Sequence, residues 1–454
     1  MGGFARKTSL ASGRTDRRYR QRMNYREALD YMQQIGQYGI VPGLDSIREL
    51  CRRLGDPQKG LRFVHVAGTN GKGSVCAYIS SVLQCGGYRV GKYTSPAVVD
   101  EREEIQVNGS YITKAAVSRL VERLKAVCDG MAAEGLPHPT PFEMKTAMAF
   151  VYFWEKKCDI AVLETGMGGL LDATNIVEDT CVAVLTSVSE DHMGFLGRTL
   201  PEIASQKAGI IKKGCHVVTA AQRPEVMEVI AGKAAQADCP LRIADARGAE
   251  HVRFGLEKQR FDYGQRKKVE ITMAGQYQIE NAVIALEALE ALGSCGFPVK
   301  EEKLRAGMAQ AGWPGRFMVV GRKPWFILDG AHNADAAGKL AESLAFYFSH
   351  RRIIYIMGML RDKEYEKIIG LTHGLADQII TVTPPENKRA LSACELAGAV
   401  AAVHAEVTAA DSLEEAVEMA RLLAGREDVI VAFGSLSYLG RMMEIIGKAE
   451  GKEA

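Results

Sequence analysis

Several features that would assign the chain to a specialised class of protein are missing from its 454 residues. No Cys-x-x-Cys pair occurs, and the ten cysteines are scattered singly, so the sequence has no zinc-ligand spacing. No apolar run reaches the ~18 residues that span a bilayer. The hydrophobic fraction of 47% and the charged fraction of 25% are ordinary for a globular protein, which excludes a disordered chain, a collagen-like chain and a coiled coil.

A large net charge of one sign is also missing, because 57 basic residues face 55 acidic ones. The charge is uneven along the chain: residues 1–22 hold seven basic residues and one acidic residue, which leaves 50 basic and 54 acidic residues for the rest. This slightly acidic body gives no electrostatic basis for binding nucleic acid. Three explanations of the basic tail stay open: an upstream start codon with Met23 as the natural beginning, a transit peptide, and a polyanion-binding arm.

The basic tail also lacks the apolar stretch of about 7–15 residues that a secretory signal contains. Cysteines that are scattered singly are then typical of buried thiols in a reducing compartment. We therefore expect a cytoplasmic protein. We also expect a monomer, since no feature of the sequence indicates an interface between subunits.

Short apolar runs alternate with segments of helical periodicity along most of the chain. Strands are predicted at Leu61–Ala67, Val90–Tyr93, Ile160–Glu164, Cys181–Thr186 and His216–Thr219, and again at Phe326–Asp329, Ile353–Met357, Gln378–Val382 and Val429–Phe433. Alternation of strands and helices predicts a mostly parallel, doubly wound α/β sheet. A small antiparallel patch is predicted within residues 252–273.

The run Trp313-Pro314-Gly315-Arg316 breaks regular structure between the two series of strands. We therefore predict three parts: a basic tail (1–22), a larger α/β domain with a phosphate-binding loop (23–313), and a smaller Rossmann-like α/β domain (314–454).

The strongest chemical signal is Gly68-Thr69-Asn70-Gly71-Lys72-Gly73-Ser74, which follows a predicted strand and opens a predicted helix. The backbone amides of such a loop, together with a helix N-terminus, form a cradle for an anion. Lys72 can reach the terminal phosphates of a nucleotide, and Ser74 can approach Mg²⁺. Two residues, rather than the usual four, separate the first two glycines of the loop. A glycine-rich turn with an incidental lysine is the alternative.

Further polar residues follow other predicted strands, at the edge of the sheet where ligands bind in such folds. The loop Glu164–Asn175 is rich in glycine and in hydroxyl and carboxylate groups. In Asp329-Gly330-Ala331-His332-Asn333, Asp329 can hold a ribose hydroxyl and His332 can face a phosphate. An Asp-Gly turn with an asparagine helix cap explains the same run.

Five candidate residues have ordinary explanations when each is considered alone. Ser95 lies in a Thr-Ser-Pro turn, and Glu143 begins a helix whose dipole favours an acid. His192 lies in a polar loop after a predicted strand. Lys207 lies in a predicted helix, where an exposed lysine would be ordinary. Arg316 can bind a phosphate bidentately or can be a simple linker residue.

Taken together, these motifs resemble the folylpolyglutamate synthase and dihydrofolate synthase family of the Mur ligase superfamily. The matching motifs, in order, are His65–Ser74, Thr94-Ser95-Pro96, Gly168–Asn175, Asp191-His192, Lys207–Ile210, Trp313–Arg316, Asp329–Asn333, Gly358–Lys363 and Gly434-Ser435-Leu436. Chance is a poor explanation for so many motifs in the same order. The resemblance implies a Mur ligase-like fold and an ATP-dependent amide ligase that adds L-glutamate to folate, and also to dihydropteroate, through an acyl phosphate.

The resemblance also implies roles for particular residues. It assigns ATP binding to Thr69, Asn70, Gly71, Lys72, Gly73, Ser74, Asn281, Arg316 and Asp329. It assigns the binding of Mg²⁺ to Ser95, Glu143 and His192. It assigns catalytic roles to Lys72, Lys207 and His332, with Lys207 matching a lysine that is carbamylated in the family. ATP, L-glutamate and a folate or pteroate are the expected substrates, and Mg²⁺ the expected cofactor.

Two other functions stay open at this point. One is a Mur-type ligase that joins an amino acid to a peptidoglycan precursor, and the other is a catalytically silent nucleotide-binding relative. The sequence departs from the family pattern at Ala97-Val98, where His-Leu is common, and at Leu170, where arginine is common. These departures leave the recognition of the pterin open, and with it the choice between dihydropteroate and tetrahydrofolate.

Overall fold

A computed structural model describes residues 22–39, 43–191 and 193–449. Residues 1–21 of the predicted tail and His192, a predicted metal ligand, lie outside the described residues. In the described part of the chain, no helix is both long and apolar enough to cross a membrane.

The strands form three sheets. In chain order they are β1 Phe63–Ala67, β2 Val90–Tyr93, β3 Ile105–Val107, β4 Ser110–Tyr111, β5 Ile160–Glu164, β6 Thr180–Leu185, β7 His216–Ala220, β8 Leu241–Ala244, β9 Ala249–Arg253, β10 Gln259–Tyr263, β11 Arg266–Ile271, β12 Met318–Arg322, β13 Trp325–Leu328, β14 Ile353–Met357, β15 Gln378–Thr381, β16 Val407–Ala409 and β17 Val429–Phe433. The first sheet has the order β4-β3-β2-β5-β1-β6-β7-β8, the small sheet β11-β10-β9, and the second large sheet β12-β13-β17-β14-β15-β16.

Helices follow most strands of the two large sheets. In chain order they are α1 Tyr25–Gln34, α2 Asp45–Arg53, α3 Lys72–Cys85, α4 Lys114–Ala133, α5 Pro141–Glu155, α6 Met193–Leu196, α7 Leu200–Lys207, α8 Pro224–Gln236, α9 Gln278–Ser294, α10 Glu301–Gln310, α11 Ala334–Tyr347, α12 Tyr365–Thr372, α13 Ala393–Ala401, α14 Leu413–Leu423 and α15 Leu439–Ala449.

Parallel pairing dominates both large sheets. In the first, β2, β5, β1, β6, β7 and β8 are parallel, and β3 and β4 form an antiparallel edge. In the second, only β12 pairs antiparallel. The carboxyl ends of the parallel strands therefore meet at one edge of each sheet, which is where doubly wound folds bind ligands. The predicted α/β fold class and the small antiparallel patch are confirmed.

The strand β1 shows how the first sheet is covered on both faces. All five of its residues are buried. Successive side chains of a strand point to opposite faces, so Val64 and Val66 pack in one core with α3 and α9, while Phe63 packs in another core with α5. This burial on both sides explains the continuous apolar run from which the strand was predicted.

The two large sheets are separate along the chain. Every described strand up to β8 belongs to the first sheet, and every strand from β12 onward belongs to the second. The chain passes from one to the other through Trp313–Arg316. We propose 23–313 and 314–454 as the limits of the two domains.

The helix α5 offers a direct test of this core. Its Phe150 is fully buried and meets Phe63 of β1 edge to face, with ring centroids 5.9 Å apart. Phe150→Ala should lower the free energy of unfolding by about 3–5 kcal/mol, because it leaves a cavity between helix and sheet. Trp154→Ala on the same helix is the matched control, since 59% of that residue is exposed. Urea unfolding followed by circular dichroism measures both, and equal losses would contradict the assigned packing.

Candidate active site

The loop between β1 and α3 has the geometry of an anion cradle. Gly71 caps the N-terminus of α3 with a φ of 86°, a left-handed conformation that favours glycine. At Gly73 a Cβ atom would lie only 2.6 Å from the indole of Trp313, so the linker packs directly on the first turn of the helix. The N-terminal amides of a fourteen-residue helix therefore begin at the carboxyl end of the buried strand β1.

Two lysines converge on one backbone carbonyl at this loop. The Lys72 ammonium donates to Gly68 O at 3.2 Å, and the Lys207 ammonium donates to the same oxygen at 2.8 Å. Lys207 is buried, and burial together with the nearby charge of Lys72 lowers its pKa to about 7. A substantial fraction of Lys207 is therefore the neutral amine at neutral pH.

The glycine-rich loop after β5 holds the end of α7, where Lys207 lies. Leu170 N donates to Gln206 O at 2.7 Å, and a Cβ on Gly169 would lie 2.6 Å from the carbonyl oxygen of Lys207. The side-chain amide of Asn175 donates to Gly209 O at 3.1 Å. The two segments approach too closely for a side chain at Gly169, which explains the glycines of this motif.

Buried hydrogen bonds of Asp172 and His65 also hold the same loop. The Asp172 carboxylate accepts from Met167 N at 2.9 Å and from Thr174 N at 3.0 Å, and burial raises its pKa. His65 of β1 contacts the Thr174 hydroxyl at 2.8 Å, and burial lowers the pKa of His65 to about 3. His65 is therefore neutral and serves the structure of the loop.

Glu164, at the end of β5, places a carboxylate beside the loop. Its Oε1 lies 3.9 Å from the Lys72 ammonium. Burial raises the pKa of Glu164, and the charges of Lys72 and Arg316 oppose that rise. Its Oε2 is buried and has no hydrogen-bond partner among the described residues.

Glu143, a predicted metal ligand, forms a helix cap. Its Oε2 accepts hydrogen bonds from Thr140 N at 2.7 Å and from the Thr140 hydroxyl at 2.9 Å. These bonds and the return bond from Glu143 N to the Thr140 hydroxyl form a capping box at the start of α5. Glu143 is not among the described residues that line the cavity at the loop.

The second large sheet supplies a carboxylate and an imidazole from the end of β13. Asp329 Oδ2 accepts from Phe317 N at 2.7 Å and from the Tyr277 hydroxyl at 3.0 Å, and Oδ1 accepts from Ala331 N at 2.8 Å. Burial raises the pKa of Asp329. These bonds fix the carboxylate and leave it lone pairs for a ligand hydroxyl.

His332 is held as a neutral imidazole. Its Nδ1 lies 2.7 Å from Gly330 O, and because a carbonyl only accepts, Nδ1 carries the proton. Burial, with the charge of Lys363, lowers the pKa of His332 to about 4. The unprotonated Nε2 is therefore left as an acceptor at neutral pH.

The helix α9 completes the wall behind the loop. Gln278 Nε2 donates to the Ser74 hydroxyl at 3.2 Å, and Asn281 Nδ2 donates to Gln278 Oε1 at 3.1 Å. The Asn281 side chain also lies where a Cβ on Gly71 would be. The predicted nucleotide contact Asn281 is thus adjacent to the loop.

One cavity joins these groups, although the residues come from all along the chain. Of the predicted site residues, it is lined by Thr69, Asn70, Gly71, Lys72, Gly73, Ser74, Ser95, Lys207, Asn281, Arg316, Asp329 and His332. His192 lies outside the described residues, and Glu143 is not among the described residues that line the cavity. Among the described residues, no cluster of three His, Cys, Asp or Glu side chains has the arrangement of a metal site.

Glu164 and Tyr277 also line the cavity, but sequence reasoning gave them no individual role. Glu164 could have been identified from the sequence, because it ends a predicted buried strand at the edge of the sheet where ligands bind. Tyr277 carried none, since its position depends on how α9 faces the second sheet.

Comparisons with known proteins identify relatives of the chain. Residues 66–289 match the Mur ligase middle domain, and residues 315–436 match the Mur ligase glutamate ligase domain. The dihydrofolate synthase/folylpolyglutamate synthase of Bacillus subtilis is 38% identical over 362 residues, which cover 78% of this chain and 84% of that protein.

Solved structures show the same arrangement over nearly the whole chain. The Mycobacterium tuberculosis folylpolyglutamate synthase complexed with ADP has a TM-score of 0.86 and 30% identity, covering 92% of this chain and 98% of that one. Escherichia coli FolC in complex with DHPP and ADP has a TM-score of 0.80 and 29% identity, covering 93% and 98%. The chain therefore belongs to the folylpolyglutamate synthase/dihydrofolate synthase family of Mur ligases.

Proposed function

We propose that the chain is an ATP-dependent ligase that joins L-glutamate to the carboxylate of a folate, and also of dihydropteroate. The observation that carries the proposal is the cavity in which the phosphate-binding loop and Lys207 of the first sheet face Asp329 and His332 of the second. An amide ligase needs this combination, because ATP must be positioned against a carboxylate in a site that excludes water. The folate ligases among the relatives disfavour a peptidoglycan ligase.

The chain's own residues suit the binding of ATP. The amides of residues 69–74 and the Lys72 ammonium hold the phosphates, and Arg316 from the linker adds a second cation. Asp329, already fixed by three hydrogen bonds, accepts from a ribose hydroxyl. His332 is neutral, so its Nε2 accepts a proton or a hydrogen bond near the transferred phosphoryl group.

The reaction proceeds by two substitutions. A carboxylate oxygen of the acceptor attacks the γ-phosphorus of ATP, and the bond to ADP breaks. The amine of glutamate then attacks the carbonyl carbon of the acyl phosphate. The nitrogen loses a proton, and the bond from the carbon to the phosphate oxygen breaks to release inorganic phosphate. Because the acyl phosphate hydrolyses in water, both steps require the enclosed cavity between the sheets.

The oxygen donors at the loop fit a magnesium ion. Mg²⁺ prefers carboxylate, hydroxyl and phosphate oxygens, and Glu164 presents a buried Oε2 that has no hydrogen-bond partner among the described residues. We propose Ser95 and Glu164 as ligands, with Glu164 in place of Glu143, and keep His192 as the third by resemblance. When bound, Mg²⁺ neutralises charge on the phosphates of ATP.

Lys207 is suited to carbamylation. Its neutral amine can attack CO₂: a nitrogen–carbon bond forms, a carbon–oxygen π bond opens, and a proton leaves to solvent. The product is an anionic carbamate, which places a negative charge beside Lys72. The lowered pKa of Lys207 supplies the nucleophilic form at neutral pH, and acidification below about 7 removes it.

The two glutamates provide a test of the metal site. Glu164→Gln should lower turnover on the order of 100-fold and raise the Mg²⁺ requirement, because it removes a charged oxygen ligand. Glu143→Gln should keep turnover near that of the wild type and cost about 1 kcal/mol of stability or less, because only a helix cap changes. Magnesium titrations of steady-state turnover measure both, and the reverse pattern would restore Glu143 as the ligand.

Removal of the Lys207 amine tests the carbamate. Lys207→Ala should be inactive and partly rescued by acetate or propionate, which replace the missing carboxylate group. Wild-type turnover should fall as the pH drops below about 7, because protonation of Lys207 prevents the reaction with CO₂. The exposed neighbour Lys213, changed to alanine, is the control. Full activity of Lys207→Ala without carboxylate would reject the proposal.

The function itself is tested by phosphate release from ATP and Mg²⁺ with L-glutamate. Dihydropteroate, tetrahydrofolate and a peptidoglycan precursor are tried as acceptors in parallel. Glutamate-dependent release with both folate acceptors is the expected result, and Lys72→Ala should abolish it. Release with the peptidoglycan precursor alone would overturn the assignment.

A further inference from the structure

The motif Gly358–Lys363 has no part in the function described so far. It follows β14 at the carboxyl edge of the second sheet. Its last residue, Lys363, reaches across to the first sheet and pairs with Asp191, with Nζ and Oδ1 3.0 Å apart. The two side chains are only 10% and 12% exposed. Lys363 itself is not among the described residues that line the cavity.

The ion pair is one end of a polar chain that crosses between the sheets. The other oxygen of Asp191 accepts from Asn333 Nδ2 at 3.2 Å. Asn333 and Asn70 exchange two amide hydrogen bonds, each 3.1 Å long. Asn70 also donates to Asp335 Oδ2 at 2.6 Å. The phosphate-binding loop, the segment after β6 and the start of α11 are thus joined through four side chains and Lys363.

Apart from Lys363, each member of the network lies in or next to a segment that carries predicted site residues. Asn70 belongs to the phosphate-binding loop, and Asn333 directly follows His332. Asp191 directly precedes His192 in the sequence. Any movement that separates the two sheets must therefore break the ion pair and displace residues next to the proposed nucleotide and metal contacts.

Burial makes this pair different from other ion pairs of the same motif. Arg361 pairs with Glu395 of α13 through side chains that are about half exposed, and both partners belong to the second sheet's domain. Solvent and salt weaken such exposed pairs. The Lys363–Asp191 pair is shielded from solvent and salt, so its attraction is weakened less.

We propose that Lys363 is a positioning residue: its ion pair with Asp191 fastens the two domains in the arrangement that aligns the phosphate-binding loop with His332. This role rests on the proposed ligase function. In this role Lys363 acts through Asp191 and Asn333.

The kinetic test is Lys363→Met, which keeps most of the length of the unbranched side chain and removes its charge. We expect kcat to fall on the order of 100-fold, because reacting groups that are slightly misplaced lose most of their rate advantage. The KM for glutamate should stay within about twofold. Lys363→Arg, which keeps a cation, should recover much of the loss. Arg361→Met in the same motif is the matched control and should behave like the wild type.

Hydrogen exchange of the full chain, followed by mass spectrometry, gives a readout that does not depend on activity. Lys363→Met should lose protection in residues 68–75 and 330–337 together, on both sheets, and Arg361→Met should not. Lys363→Arg should restore it. If the wild type lacked ligase activity but exchange changed in this way, the positioning role would stand and only the proposed function would fail.

Two results would overturn the positioning role. One is a raised KM for glutamate with an unchanged kcat, which would make Lys363 a substrate ligand. The other is a loss of protection confined to residues 358–365, which would make it a local structural residue.

Discussion

The site depends on two lysine side chains held against one carbonyl. Lys72 and Lys207 both donate to Gly68 O inside a cavity, where charges of the same sign repel strongly. One consequence is the pKa of Lys207, which burial and Lys72 lower to about 7. The glycine loop before α3 and the close packing of Gly169 on α7 both serve to hold this arrangement.

The sequence predicted the interior of the fold better than its edges. Buried parallel strands such as β5 and β14 are continuous apolar runs, so their limits were predicted to the residue. The edge strands β8 and β12 were missed because most of their side chains are exposed or half-buried.

Contacts between residues far apart in the chain limited how much of the site could be predicted from the sequence. The phosphate-binding loop is local, so its residues could be named from their order alone. Glu143 and Glu164 could not be separated by residue type, although Thr140 three residues before Glu143 is the signature of a helix cap. The pairing of Lys363 with Asp191 joins segments 172 positions apart, and only the docking of the two sheets reveals it.

The central claim is that ATP activates the acceptor's carboxylate in this cavity. The most direct measurement follows oxygen: an acceptor with ¹⁸O at both carboxylate oxygens is turned over with ATP and glutamate, and the released phosphate is analysed by mass spectrometry. An acyl phosphate predicts one ¹⁸O atom transferred to each phosphate. Phosphate without the label would show that ATP is cleaved without activating the carboxylate, and would contradict the account.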